Sequence, residues 1–174
     1  MQMLEQAVHE LKGEPVAEEV EPNLQLQVSA YIPEEYVGDA AQRLSLYKRL
    51  TSSTHAGDLA QLHGELVDRY GAAPEPVEQL FEVMEVRLLA KALRARAIQA
   101  RPKAVAFSFD KEGLPPQAGL QALMDQYRSR LRFITPTSFE LLGVDSAWKT
   151  VFQEVKRVLQ VLATYDKNRP LAAC

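Results

Sequence analysis

Leu24, Leu26 and Val28 alternate with Gln25, Gln27 and Ser29, which is the period of a strand with one buried face. Pro33 then ends any ladder, because proline has no N–H to donate. Beyond it the period changes. Ala40, Leu44 and Tyr47, widened by Leu46 and Leu50, form a helical stripe with Asp39 placed as its N-cap. A chain that switches repeat over so short a stretch must bury a sheet face against helices, which predicts an α+β domain.

The rest extends that pattern. Thr51-Ser52-Ser53-Thr54 breaks the first helix, and a second is expected over 57–70, with Leu59, Leu62, Leu66, Val67 and Tyr70 inward and Gly71 as its stop. After Pro74 and Pro76 a long helix is expected from 76 to 97 on a stripe of Val77, Leu80, Phe81, Met84, Leu88, Ala92 and Ala95. Strand formers follow at 104–109, with a turn at 110–113. Pro116 opens a short helix through Tyr127 that buries Leu120, Leu123 and Met124. Residues 131–134 and 139–142 read as a hairpin, and Ser146 is placed to cap a last helix bearing Trp148, Val151, Phe152, Val155, Leu159 and Leu162. The expected architecture is a small mixed or antiparallel sheet covered by amphipathic helices.

The two ends differ from this compact part. Leu4, Ala7, Val8 and Leu11 suggest a detached helix over 1–12, and residues 13–23 are acidic, carry two prolines and lack periodicity, as a linker would. The domain proper is expected over 24–164, with a frayed tail at 165–174. With 174 residues and 47% hydrophobic content, a core is available. The apolar runs are too short to span a bilayer, and the start has neither the basic nor the apolar region of a signal peptide. A single Cys174 suits a reducing cytoplasm, the expected location.

The net charge of −3 conceals an asymmetry: residues 1–86 hold 5 basic and 16 acidic side chains, and residues 87–174 hold 15 basic and 7 acidic. Either the halves neutralise each other when folded, or one of them meets a charged partner.

Catalytic chemistry finds no foothold. Lys149-Thr150 lies in an amphipathic helix without a glycine-rich loop, so it is no phosphate loop. His9, His55 and His63 have no ligand-spaced partner, and Cys174 has no base nearby in sequence. Glu34-Glu35 beside a proline turn suits turn solvation rather than acid–base work. No enzyme activity, metal or cofactor is expected of this chain.

Two surface groups remain. Asp58, Gln61, Glu65 and Asp68 fall on one side of the second helix, opposite its apolar stripe, and Arg69 lies four residues after Glu65, suited to an intrahelical ion pair. They form either a solvated face or an acidic ridge that takes arginines from a partner. The second group is a basic run with no acid between Glu85 and Asp110, comprising Arg87, Lys91, Arg94, Arg96, Arg101 and Lys103, with a smaller cluster at Arg128, Arg130 and Arg132. Nucleic-acid contact through Arg87, Lys91, Arg94 and Arg96 is the alternative functional reading.

Several blocks carry a family resemblance. Glu21-Pro22-Asn23, Ala30-Tyr31-Ile32-Pro33-Glu34-Glu35-Tyr36, Gln42-Arg43-Leu44-Ser45-Leu46-Tyr47-Lys48-Arg49-Leu50, Glu65-Leu66-Val67-Asp68-Arg69-Tyr70-Gly71 and Pro74-Glu75-Pro76-Val77 resemble the C-terminal domain of bacterial transcription-repair coupling factors. Residues 3–13 are similar to the helix that leads from that family's motor into this domain, whereas Ala72-Ala73 stands where a bulkier or proline-containing pair is expected. The resemblance implies a role in transcription-coupled excision repair. The parent proteins recognise stalled RNA polymerase, move on DNA by an ATP-driven translocase (with ATP and Mg held in the upstream motor) and recruit UvrA. It implies further that this domain is a non-catalytic, autoinhibitory clamp. The clamp would dock on the same protein's N-terminal UvrB-like module and mask the UvrA-binding surface, with Glu65, Asp68 and Arg69 in the contact block and no membrane involved.

Overall fold

The computed structural model describes residues 21–166. The expected helix over 1–12, most of the acidic linker, and the end of the tail with Cys174 lie outside these residues. The described part runs β1 (Asn23–Gln25), α1 (Ala40–Ser52), α2 (Ala56–Tyr70), α3 (Glu75–Ala92), β2 (Ala95–Arg101), β3 (Ala104–Phe109), α4 (Gln117–Tyr127), β4 (Leu131–Thr135), β5 (Ser138–Leu142) and α5 (Trp148–Tyr165). The strands form one sheet in the order β1-β2-β3-β5-β4. β1 runs parallel to β2 and every other pairing is antiparallel, so the sheet is mixed and the fold is α+β.

Two apolar cores result. Leu26, Ile98, Val105, Phe107, Phe139 and Leu141 of the sheet side pack against Val86 and Ala90 of α3, Leu123 of α4, and Val155, Leu159 and Leu162 of α5. The second core has no strand: Leu46 and Leu50 of α1, Leu59, Leu62 and Leu66 of α2, and Val77, Leu80 and Phe81 of α3 close over Ile32 and Val37 of the segment before α1. The first half of α3 therefore belongs to one core and the second half to the other. Glu140 of β5 lies outside both and is nonetheless only 2% exposed. Arg132 of β4 donates to it directly, and Arg101 of β2 stands 3.6 Å away, so the buried carboxylate has cationic partners on both sides.

The structure corrects the sequence reading at several points. The strand expected through Ser29 pairs only as far as Gln25, since Gln27 has a φ of 53° that takes the backbone out of the ladder. Its alternating burial persists all the same, with Leu26 buried and Gln25 and Gln27 exposed. The long helix ends at Ala92 instead of 97: Leu93 caps it, Arg94 turns left-handed at φ 58°, and residues 95–101 form β2. Ala92, placed in the inward stripe, is exposed, and Ala95 is buried as a strand residue. In α1 the inward residues are Leu46 and Leu50, while Leu44 is 56% exposed. Met124 likewise faces outward from α4. Ser146 does not cap α5; Ala147 holds that position, and its N–H donates to Asp145 Oδ1 at 3.3 Å.

A candidate docking ridge on the second helix

α2 is held at both ends and along one face, and that fixes the direction of its polar side. Asp39 starts α1 as expected, accepting from the N–H groups of Ala41 and Gln42 at 2.8 and 3.2 Å. A short connection then brings the chain back as α2, where Asp58 Oδ2 accepts from the backbone N–H groups of Thr54 and His55, both at 3.3 Å. At the far end Gly71 takes a φ of 86°, and Tyr36 reaches over to the last carbonyls. Between these ends Leu59, Leu62 and Leu66 are buried. Turning α2 about its axis would pull three leucines out of the helical core, at about 1.5–3 kcal/mol each.

Asp58, Gln61, Glu65, Asp68 and Arg69 are all exposed. Gln61 and Asp68 lie across the helix from the leucines, and Glu65 to one flank. Asp58 and Arg69 lie at the edge of the stripe, four residues before and seven after Leu62. Their roles differ. Asp58 is committed to the N-terminus of its own helix. Glu65 accepts from Arg49 Nη1 of α1 at 2.8 Å through Oε2, and from Gln61 Nε2 at 3.4 Å through Oε1. The Arg49 hydrogen bond is the main reason its carboxyl is held below the usual range, with Gln61 and the more distant Arg69 adding to it. Arg69 is not the direct partner that i,i+4 spacing predicts, since its guanidinium lies 6.0 Å over the Tyr70 ring. Asp68 makes no hydrogen bond or ion pair among the described residues. Sequence reasoning missed Arg49, whose side chain meets Glu65 only once α1 and α2 pack side by side.

The basic run meets a different fate. Arg87 and Lys91 of α3, both half-buried, pair with Glu21 at 3.0 and 3.3 Å. Burial pushes the Glu21 carboxyl up, but these two cations outweigh it and hold the group below its usual value. Arg94 lies 3.9 Å from Glu112 and Arg101 pairs with Glu140. Lys156 of α5 bridges Glu82 and Glu85 of α3 at 2.6 and 3.3 Å. Arg87, Lys91 and Lys156 thus offset part of the charge asymmetry between the halves, while Arg94 and Arg101 pair within their own half. Arg96 and Lys103 are exposed.

A groove of about 940 Å³ runs between α3 and α5, lined by Glu75, Glu78, Glu82, Trp148, Phe152 and Lys156. Its carboxylates are engaged: Glu75 by the Trp148 indole N–H, Glu78 by His63 at 3.0 Å, and Glu82 by Lys156. Among the described residues no group of three or more His, Cys, Asp and Glu could hold a metal ion, and no helix is long and apolar enough to cross a membrane.

The sequence matches the TRCF domain family over residues 26–119, which takes in the connection to α1, α1, the ridge helix, the whole of α3, β2 and β3. The chain belongs to that family. Transcription-repair-coupling factors of Myxococcus xanthus, Escherichia coli and Haemophilus influenzae are 37%, 28% and 31% identical over 68%, 93% and 94% of this chain. The chain spans only 10–15% of the length of those relatives. A crystal structure of the C-terminal domain of a transcription-repair coupling factor superposes with a TM-score of 0.69 at 17% identity, covering 84% of this chain and 97% of that one. The TRCF fold thus extends through the second half, beyond the region of the family match.

Proposed function

We propose that this TRCF domain is a non-catalytic regulatory clamp in transcription-coupled nucleotide-excision repair. It docks through Gln61, Glu65, Asp68 and Arg69 on the N-terminal UvrB-like module of the same protein and masks the surface that UvrA needs. Asp58 contributes by stabilising the start of the helix that presents them. ATP and Mg belong to the upstream motor, which acts on DNA and RNA polymerase in the cytoplasm. The observation that carries this reading is the orientation of α2, whose buried leucines hold the carboxylates of Glu65 and Asp68 toward solvent. A carboxylate pair on a fixed helix suits arginine, whose planar fork matches it in geometry as well as charge.

The contact need not be strong. A tethered domain meets its target at an effective concentration of about 1 mM, so a Kd of about 100 µM already keeps roughly nine-tenths of the molecules closed. Opening follows from any event that favours the undocked form, such as polymerase engagement or translocation. A pull-down of this chain with the UvrB-like module, with and without Glu65→Arg, tests the reading: retention is expected to be lost in the variant. Equal retention of both would remove the ridge from the mechanism. The basic 87–103 segment is the weaker candidate for function, because Arg87, Lys91, Arg94 and Arg101 already face acidic partners.

A further inference from the structure

Of the three carboxylates on the ridge, only Asp68 is open. Asp58 accepts from backbone N–H groups at the start of α2, and both oxygens of Glu65 have donors, Arg49 on Oε2 and Gln61 on Oε1. A guanidinium binding a carboxylate as a fork needs two oxygens at once. Arg49 already fills one acceptor site of Oε2 and neutralises the carboxylate, so an incoming arginine gains the full fork and its charge at Glu65 only when Arg49 yields its place. Arg49 is free to leave: its side chain is 50% exposed, and its head group can return to water.

Resting on the docking reading above, we infer that Arg49 is an internal stand-in for the partner's arginine at Glu65. Docking then exchanges one guanidinium for another at Glu65 and adds a new one at Asp68. The two carboxylates have unequal parts. Asp68 supplies net attraction, while Glu65 gives geometric selection at little net gain, because the contact formed replaces one of the same kind. Arg49 also sets how tightly the clamp closes, since an exposed ion pair of this type weakens a competing contact by only a small factor. The arrangement favours a partner presenting two arginines spaced to meet successive turns of α2, and it handicaps one presenting lysines, which are point charges without the fork needed to displace Arg49.

The test is a calorimetric titration of this chain with the UvrB-like module, using single and paired substitutions. Arg49→Gln is expected to tighten binding roughly 2–5-fold, the range set by exposed ion pairs. In the Glu65→Gln background the same change is expected to bring no gain, and Asp68→Asn alone is expected to weaken binding more than Glu65→Gln alone. Lys48→Gln removes the same charge one position away and controls for long-range attraction. Unchanged or weaker binding by Arg49→Gln would overturn the inference, as would a gain that persists without Glu65 or is matched by Lys48→Gln. Failure of the unsubstituted chain to bind would remove the docking reading and this inference together. Binding that is indifferent to residue 49 removes the inference alone.

Discussion

The Tyr36 hydroxyl donates to the Gly71 carbonyl at 2.8 Å and lies 3.2 Å from the carbonyl of Leu66. It ties the segment before α1 to the C-terminal end of α2 and gives the Gly71 carbonyl, just past the helix, a donor. Tyr36→Phe keeps the ring and removes that donor. The expected cost is about 1 kcal/mol, read as a lower urea midpoint with an unchanged slope. An unchanged midpoint would mean that water serves those carbonyls equally well.

Arg94 and Gly113 meet where α3 gives way to β2. A Cβ placed on Gly113 would lie 2.6 Å from Arg94 Cβ, and Arg94 itself holds the left-handed φ of 58°. Gly113→Ala is expected to destabilise the domain, whereas Arg94→Gly should be neutral or stabilising by up to about 1 kcal/mol as the strain is relieved. In the double variant much of the Gly113→Ala cost should vanish. Additive effects in denaturant melts would argue against the contact.

Tyr127 governs the alkaline side. Burial first, then the Glu154 carboxylate 3.2 Å away, pushes its hydroxyl up from 10.0 to about 12. The folded state holds this proton more tightly than the unfolded chain does. The resulting stability is complete below pH 10 and is lost as pH rises toward 12, amounting to about 2 kcal/mol. Tyr127→Phe should flatten the fall of stability over that interval. A fall as steep as that of the parent would assign it to other groups.

Leu62 sits in the helical core and Phe107 in the core beneath the sheet, and both are almost fully buried. Leu62→Ala and Phe107→Ala are each expected to cost about 2–5 kcal/mol. Because α3 supplies residues to both cores, each should lower one shared unfolding transition. Two separable transitions in calorimetry would show that the cores unfold independently.

In a full-length coupling factor carrying this domain, reversing charge at Glu65 and Asp68 together is expected to raise UvrA binding and resting ATPase rate. Both should approach the values of a protein lacking the domain, as a lost clamp requires. Unchanged binding and rate in the double variant would separate the ridge from autoinhibition.

The elements best read from sequence are those with local punctuation. Asp39 marks the start of α1 and Gly71 the stop of α2, since a side-chain cap and a positive φ are chemistry within a few residues. The exposure of Asp68 and the flank position of Glu65 also follow from spacing, because Leu59, Leu62 and Leu66 take the other side of α2. β2 was hidden for the converse reason. Leu88, Ala92 and Ala95 keep helical spacing across the true boundary, and the residue that makes the turn is Arg94, not a glycine or asparagine that would announce it. Leu44 and Leu46 are both apolar, and only the packing of α1 against α2 decides which one is buried. The pairings Arg49–Glu65 and Arg87–Glu21 join residues far apart in the chain, so no local pattern carries them.

The passage of α3 through both cores ties the ridge helix to the sheet. Its first turns grip the leucines behind the ridge, and its last turns lie under the sheet. With α3 continuous through both, the two cores have no loop between them at that point to act as a joint. Because the same helix serves both cores, a change of packing on the sheet side is expected to reach the position of α2.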